Sequence, residues 1–287
     1  MTCKANSRLL ASRCALWVRA RPAFIDIDPK TLNLDLGNLG RCDALVAVHY
    51  AGLPVDLSAL VGRPRVVVED AAHALGALTP DGPVGNCARS DACIFSFHPV
   101  KTVTTGEGGA VTTNSLDVAR RLRRFRSHGM VSRPEQGGWY YDISELTPNA
   151  RISDLQCALG ASQLAKLERF VTRRNELAVR YDELLGALDV EPAPAATVGT
   201  RHAYHLYPVR VAGRRAVYDA MRAAGIGVQV HYVPIYRHPL FASFGVAPSD
   251  YPETERAYDG LLSLPMYPGL SDAQQDRVVE TLARVLG

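Results

Sequence analysis

Lysine is scarce in this chain. Lys and Arg together number 32, and only four are lysines: Lys4, Lys30, Lys101 and Lys166. The protein normally writes Arg where it wants a positive charge, so a lysine in an unusual setting invites a chemical explanation. Long apolar runs are also missing. No stretch approaches the ~18 residues of a membrane-spanning helix. The N-terminus has basic residues but no apolar core ahead of a cleavage-like site, so no leader is expected. Six cysteines (3, 14, 42, 87, 93 and 157) form no CxxC and keep no regular spacing. They read as free thiols of a cytoplasmic protein rather than as a disulfide framework. Charge of one sign is not in excess, and a net +3 is too small to argue for a nucleic-acid or membrane partner. What remains is an ordinary globular composition, 47% apolar and 21% charged, over a length that suggests about two domains.

Short apolar runs alternate with helical patterns along the first two thirds. Ala23–Ile27, Ala44–Val48, Val66–Val68 and Cys93–Phe97 read as strands. Ser115–Arg126 reads as a helix capped by Asn114 or Ser115. Such alternation predicts an α/β domain with a largely parallel sheet. A long helical stretch follows over Ser153–Leu188, interrupted near Phe170. Glu191-Pro-Ala-Pro-Ala-Ala-Thr-Val-Gly199 has two prolines and no periodicity, and reads as a linker. Beyond it, Tyr204–Val211 (strand), Arg214–Ala224 (helix), Val228–Tyr232 (strand) and a helix after a Ser271 cap predict a small α+β domain. The expected division is residues 1–190 and residues 200–287.

Among the lysines, Lys101 has the unusual setting. It follows Asp91-Ala-Cys-Ile-Phe-Ser-Phe-His-Pro-Val100, a mostly apolar run, and precedes the polar turn Thr102-Val-Thr-Thr-Gly-Glu-Gly-Gly109. An ammonium desolvated at the end of a core strand loses its proton readily and can attack a carbonyl; a guanidinium cannot. Asp70 closes the strand Val66–Val68, at the carboxyl end where ligands of open α/β sheets sit. There it can pair with a cationic ring nitrogen or simply cap a helix over Ala71–Leu75. Other motifs fail. Lys101-Thr102 lacks the glycines of a P-loop, and Ser96 is at the wrong spacing from Lys101 for an S-x-x-K hydrolase. His202 and His205 fall on opposite faces of an expected strand and make a poor metal pair. The run Arg120-Arg-Leu-Arg-Arg-Phe-Arg126 reads as a solvated helix face, with contact to an anionic substrate as the alternative.

The segment Ser96-Phe-His-Pro-Val-Lys101 through Gly109 resembles the cofactor-lysine segment of the DegT/DnrJ/EryC1/StrS sugar aminotransferases, which are pyridoxal 5'-phosphate (PLP) enzymes of fold type I. Val66-Val-Val-Glu-Asp70-Ala-Ala-His73-Ala-Leu-Gly-Ala77 resembles that family's cofactor-ring segment. Asn149–Gly160, His205–Val209, Gly225–Pro234 and Leu264–Pro268 follow in family order. The likeness runs from about Arg21 to the C-terminus. The Phe-His-Pro-Val-Lys and Gln-Val-His-Tyr wording is nearest the UDP-4-keto-sugar C4 aminotransferases of the pseudaminic-acid pathway.

This resemblance implies a large domain with a mainly parallel sheet plus a smaller C-terminal α+β domain, in a cytoplasmic homodimer acting on small molecules. It implies that Lys101 holds PLP as a Schiff base and moves the proton, that Asp70 pairs with the ring nitrogen, and that His73 touches the ring near its phenolic oxygen. It gives Ser96 a phosphate contact, and Asn149 a contact to the phosphate of the neighbouring subunit's cofactor. His231 and Tyr232 would sit near the sugar. Plainer readings stand beside these: a core histidine at 73, a structural strand serine at 96, a turn or helix start at Asn149, and core packing at the domain junction for His231 and Tyr232. The implied reaction moves an amino group from an amino acid, glutamate in the usual case, to a 4-keto-6-deoxy nucleotide sugar. The sugars serve cell-surface or secondary-metabolite biosynthesis. Related dehydratases carry His where Lys101 stands, so they are disfavoured.

The likeness fails at the front. Family members carry, further upstream, a Gly-Thr-type loop and helix whose amides hold the cofactor phosphate. They also carry a Thr-aromatic-Val-Ala-Ser/Thr segment whose aromatic stacks on the ring. Residues 1–19 match poorly, and the nearest stretch, Arg8-Leu-Leu-Ala-Ser12, lacks the aromatic. A truncated reading of an enzyme would explain this. So would a catalytically incompetent remnant acting, if at all, as an interaction partner. On either account the chain as written is expected to bind PLP weakly, turn over little and expose apolar surface near Ala23–Ile27.

Overall fold

The computed structural model describes residues 2–4 and 9–287, with side chains from Arg13 onward. The comparison at Arg8–Ser12 lies outside the side chains so described. Thr2–Lys4 (β1), Ala23–Ile25 (β2), Ala44–Val48 (β3) and Val66–Asp70 (β4) build one side of a central sheet. Leu78–Thr79 (β5) and Gly82–Pro83 (β6) make a small separate hairpin, and Ala92–Ser96 (β7) and Gly109–Thr112 (β8) complete the sheet. Its six strands run in the order β2-β1-β3-β4-β7-β8. All neighbours are parallel except β8, which is antiparallel to β7.

The central strands are apolar and β-branched because both of their faces are covered. Successive side chains alternate between faces. Leu45, Ala47 and Val67 pack with Ile25, Leu34, Val55 and Leu57 on one side, while Val46, Val48 and Val68 form a cluster on the other. β2 stops at Ile25, short of the expected Ile27, because Asp26 leaves the sheet to cap a distant helix. Its carboxylate accepts from the backbone N–H of Glu253 (3.0 Å) and Thr254 (2.8 Å).

Leu116–Phe125 (α2) is capped by Ser115, whose Oγ accepts from the Val118 N–H at 3.3 Å. Met130–Ser132 (β9) and Tyr141–Ile143 (β10) form a hairpin that the sequence did not signal. Leu9–Trp17 is the first helix (α1); Asp154–Leu164 (α3) and Leu167–Leu185 (α4) follow. The break between the last two lies at Ala165-Lys166 rather than near Phe170. No glycine or proline marks it. Packing does, since α4 turns to bury Leu177, Tyr181 and Leu185 among Tyr207, Val209, Met221, Leu262 and Leu282. That cluster draws on Tyr207–Arg210 (β11), Arg214–Ala223 (α5), Leu261–Leu264 (β12) and Asp272–Leu286 (α7); Pro252–Gly260 (α6) lies between α5 and β12. β11 and β12 pair antiparallel.

Two expected strands change. Residues 204–206 do not extend β11, because Ala203 and Leu206 donate their N–H groups to Gly52 and Ala51 instead. Val228–Tyr232 is not a strand. Only Gln229 pairs, with Ser263, and the His231 carbonyl is taken by the Tyr50 hydroxyl at 2.6 Å. No helix among the described residues is long and apolar enough to cross a membrane.

Glu69 on β4 is buried. Its Oε2 is 2.9 Å from His49 Nε2, and its Oε1 accepts from Ser90 Oγ at 2.5 Å. His49 Nδ1 accepts from the Val55 N–H, so Nε2 carries the ring proton. Burial pushes the carboxyl up, but the hydrogen bonds from His49 and Ser90 outweigh it and hold it below the ordinary 4.5. A depressed acid contributes stability that is present above its unfolded pKa and is lost as pH falls through the folded one. Glu69→Gln should therefore flatten the fall in melting temperature below pH 4.5. At neutral pH it should cost about 1–3 kcal/mol, the worth of hydrogen bonds to a charged group. Thermal melts against pH check this; an unchanged acid slope in the variant would mean that another group causes it.

Candidate active site

Adjacent parallel strands deliver their carboxyl ends to one edge of the sheet. β4 ends at Asp70, which is 9% exposed. Its Oδ1 accepts from the Ala72 N–H at 3.1 Å. No helix follows, only turns closed by Ala74 on Ala71 and Ala77 on Ala74. Asp70 is therefore not a helix N-cap. β7 pairs with β4 so that Ile94 faces Asp70, and it ends at half-buried Ser96. Ser96 Oγ accepts from the His98 N–H at 3.5 Å. The chain then turns through His98-Pro-Val100 and brings Lys101 to 7% exposure beside buried Thr102, Val103 and Thr105. The turn is fastened by backbone bonds from Lys101 to His98 and from Thr105 to Phe97. A polar turn by composition thus carries its amine inward, away from water.

A group of rings gathers at His73, on the turns that follow Asp70. His73, 3% exposed, lies against His205 with centroids 4.3 Å apart. It also stacks on Tyr232 at 6.2 Å, and the Tyr232 hydroxyl is 3.3 Å from His73 Nε2. His231 meets Tyr232 edge-on at 4.8 Å, and its Nδ1 is 2.9 Å from Ser263 Oγ. Burial, with the nearby Tyr232, pushes the Tyr50 phenol far above its ordinary value. It is therefore a neutral donor to the His231 carbonyl. The structure brings His73, His231 and Tyr232 together and adds Tyr50 and His205, to which sequence reasoning gave no role. The only sequence signal for His205 was its place in the His205–Val209 segment.

Behind the rings lies Arg174, 4% exposed. Its Nη1 donates to the carbonyls of Tyr204 (2.8 Å), His205 (3.3 Å) and Met266 (2.9 Å). Burial lowers its pKa to about 10, so it stays charged at neutral pH. His202 and His205 are not on a strand. His202 stacks flat on Tyr204 at 3.8 Å, and burial holds its pKa down at about 3. Among the described residues no group of His, Cys, Asp and Glu could hold a metal.

Asn149 lies apart from this constellation. It is exposed, and its Oδ1 accepts from the Arg151 backbone N–H (3.3 Å) and Nε (3.1 Å). The arginine run of α2 is a solvated face, with Arg124 Nη2 2.5 Å from Glu145.

These groups fit PLP. Lys101 offers a desolvated amine, Asp70 a buried acid, and His73 with Tyr232 a flat polar wall. The profile of the DegT/DnrJ/EryC1/StrS aminotransferase family matches residues 9–283. Spore coat polysaccharide biosynthesis protein SpsC of Bacillus subtilis is 34% identical over 93% of this chain and 74% of its own length. Among solved structures, Spr1654 of Streptococcus pneumoniae, a candidate sugar aminotransferase, superposes in its PMP form. The TM-score is 0.90 at 25% identity, covering 99% of this chain and 80% of that one. PseC of Helicobacter pylori, an aminotransferase involved in pseudaminic acid biosynthesis, gives a TM-score of 0.89 at 27% identity, covering 99% and 79%. Nothing in these likenesses favours the reading of an incompetent remnant.

The backbone crossing that seats the rings is testable. Gly52 has φ +102°, and a Cβ there would stand 2.8 Å from the His73 carbonyl oxygen and 3.1 Å from the Tyr204 nitrogen. Gly52→Ala should cost at least the roughly 1–3 kcal/mol of a strained backbone position, read as a lower urea midpoint. A variant as stable as the parent would show that these segments can separate without loss.

Proposed function

The chain belongs to the DegT/DnrJ/EryC1/StrS aminotransferase family, and on that footing we propose that it moves an amino group from glutamate to a 4-keto-6-deoxy nucleotide sugar. PLP is the cofactor; Spr1654 is known in both PLP and PMP forms. The observation that carries the reading is the buried Lys101 amine at the same sheet edge as the buried Asp70 carboxylate. When bound, the cofactor supplies a cationic ring that accepts electron density from the carbon losing its proton.

The chain's own groups do the rest. Lys101 Nζ would hold the cofactor by its aldehyde end and, when freed from it, would carry the proton given up by the donor's α-carbon. Asp70, at the end of β4, keeps the ring nitrogen protonated. His73 and Tyr232 wall the ring, and their mutual hydrogen bond fixes which edge they present. Ser96 takes part of the phosphate, while His231 and Tyr232 face the sugar. The likeness to PseC and SpsC supports a sugar bound for a surface polysaccharide or glycan.

A second copy of the chain completes the site in this reading. α2 and α3 bury no side chain, although short helices in water need an apolar face covered. Leu155 on α3 is 85% exposed and Trp139 in the hairpin loop 82%. Asn149 bridges Ser127 just beyond the end of α2 and would reach a neighbour's cofactor phosphate only across such a contact.

Borohydride reduction of the PLP-loaded protein and peptide mapping should place the cofactor on Lys101. Label on Lys30 or Lys166 would sink the assignment. Lys101→Arg should abolish turnover, and Asp70→Asn should lower it by about 10²–10⁴-fold while still taking label. Near-normal turnover in Asp70→Asn would leave Asp70 a turn residue only. Sedimentation should show a dimer, and Leu155→Glu should dissociate it; a monomeric parent with full activity would remove Asn149 from the site.

A further inference from the structure

We propose that Arg174 and His205 are positioning residues of this site, acting through His73. The proposal deepens the functional reading above and rests on it. Arg174 projects from α4 into a place where water does not reach. A buried guanidinium is costly unless its donors are met. Here Nε is buried without a hydrogen bond, and one nitrogen, Nη1, gathers three backbone carbonyls. Those of Tyr204 and His205 come from the stretch before β11, and that of Met266 from the stretch after β12. Such an arrangement fixes backbone. It ties the two strands' flanking segments to α4 at one point.

The consequence for the site runs through His205. With its carbonyl on Arg174, the residue presents its ring to His73 at 4.3 Å and 38°. The Tyr232 hydroxyl, 3.3 Å from His73 Nε2, contributes a further restraint. His73 stands three residues from Asp70: Asp70 Oδ1 accepts from the Ala72 N–H, and the turn closed by Ala74 on Ala71 carries His73. The acid and the ring therefore sit on consecutive, hydrogen-bonded turns. A cofactor wall held to within a fraction of an ångström is what productive geometry requires. Neither Arg174 nor His205 is a catalytic residue; each works through the ring it supports.

The test uses the full chain with His205→Leu, His205→Phe and Arg174→Met. The readouts are PLP affinity by titration, the visible absorption band of bound PLP against pH, the glutamate half-reaction, and the melting temperature without cofactor. His205→Leu loses the stacked ring. It should weaken PLP binding roughly 10-fold, slow the half-reaction by up to about 10²-fold, as small misplacements do, and shift the pH dependence of the band. His205→Phe keeps a flat ring and should retain most of the parental values. Arg174→Met should follow His205→Leu; where it fails to fold, the two His205 variants decide alone. A His205→Leu protein that melts lower but keeps parental affinity, band and rate would overturn the proposal. A parent that takes no label on Lys101 would overturn the functional reading instead, and this proposal with it.

Discussion

A backbone crossing too tight for a side chain joins the sheet to the layer beyond it. The loop after β3 passes at Gly52 between the turn carrying His73 and the stretch carrying Tyr204. Hydrogen bonds from Ala203 to Gly52 and from Leu206 to Ala51 lock the crossing. The Tyr50 hydroxyl then reaches the His231 carbonyl. This contact helps give His73 on one side and His205, His231 and Tyr232 on the other a common frame, together with Arg201, which bonds Gly76 and Leu78 just after the His73 turn. Asp70 ends a strand of the sheet and Lys101 lies in the turn after another; the rings gathered at His73 meet beside the crossing.

Several polar groups buried around this frame are met by partners, although Arg174 Nε and His202 Nε2 are buried without a hydrogen bond. Glu69 is met by His49 and Ser90, Arg174 by three carbonyls, and the first amides of α6 by Asp26 from the far end of the chain. Each of these ties together segments distant in sequence, because a buried polar atom left unmet would cost more than the chain order that meeting it imposes. Rigidity next to the site follows from that satisfaction. Elsewhere the molecule is open: α2 and α3 present apolar side chains outward, on the side to which the homodimer reading assigns Asn149.

Much of the site was legible because its chemistry is local. Lys101 stood out as a rare amine after an apolar run, and Asp70 as an acid closing a strand of valines. Strands β3 and β4 were readable since burial on both faces demands continuous apolar sequence. The caps Ser115 and Ser271 were readable because a cap needs only its own next three residues. The break before α4 was not, since packing rather than a glycine or proline makes it. Nor was the fate of Val228–Tyr232, whose strand-like pattern loses to a hydroxyl far back in the chain.

The sequence by itself determined the α/β class and the family, and it singled out Lys101 and Asp70 as the candidate groups with the plainest chemistry. These are properties of short segments, where period, residue type and spacing suffice. Tertiary structure alone decided that His205 backs His73, that Arg174 fixes His205, and that Tyr50 anchors the segment of His231 and Tyr232. Those contacts join residues more than a hundred positions apart in several cases, such as His73 and Tyr232. No local pattern encodes such a pairing; it exists only once the strands have brought their ends to one edge and the chain has crossed at Gly52.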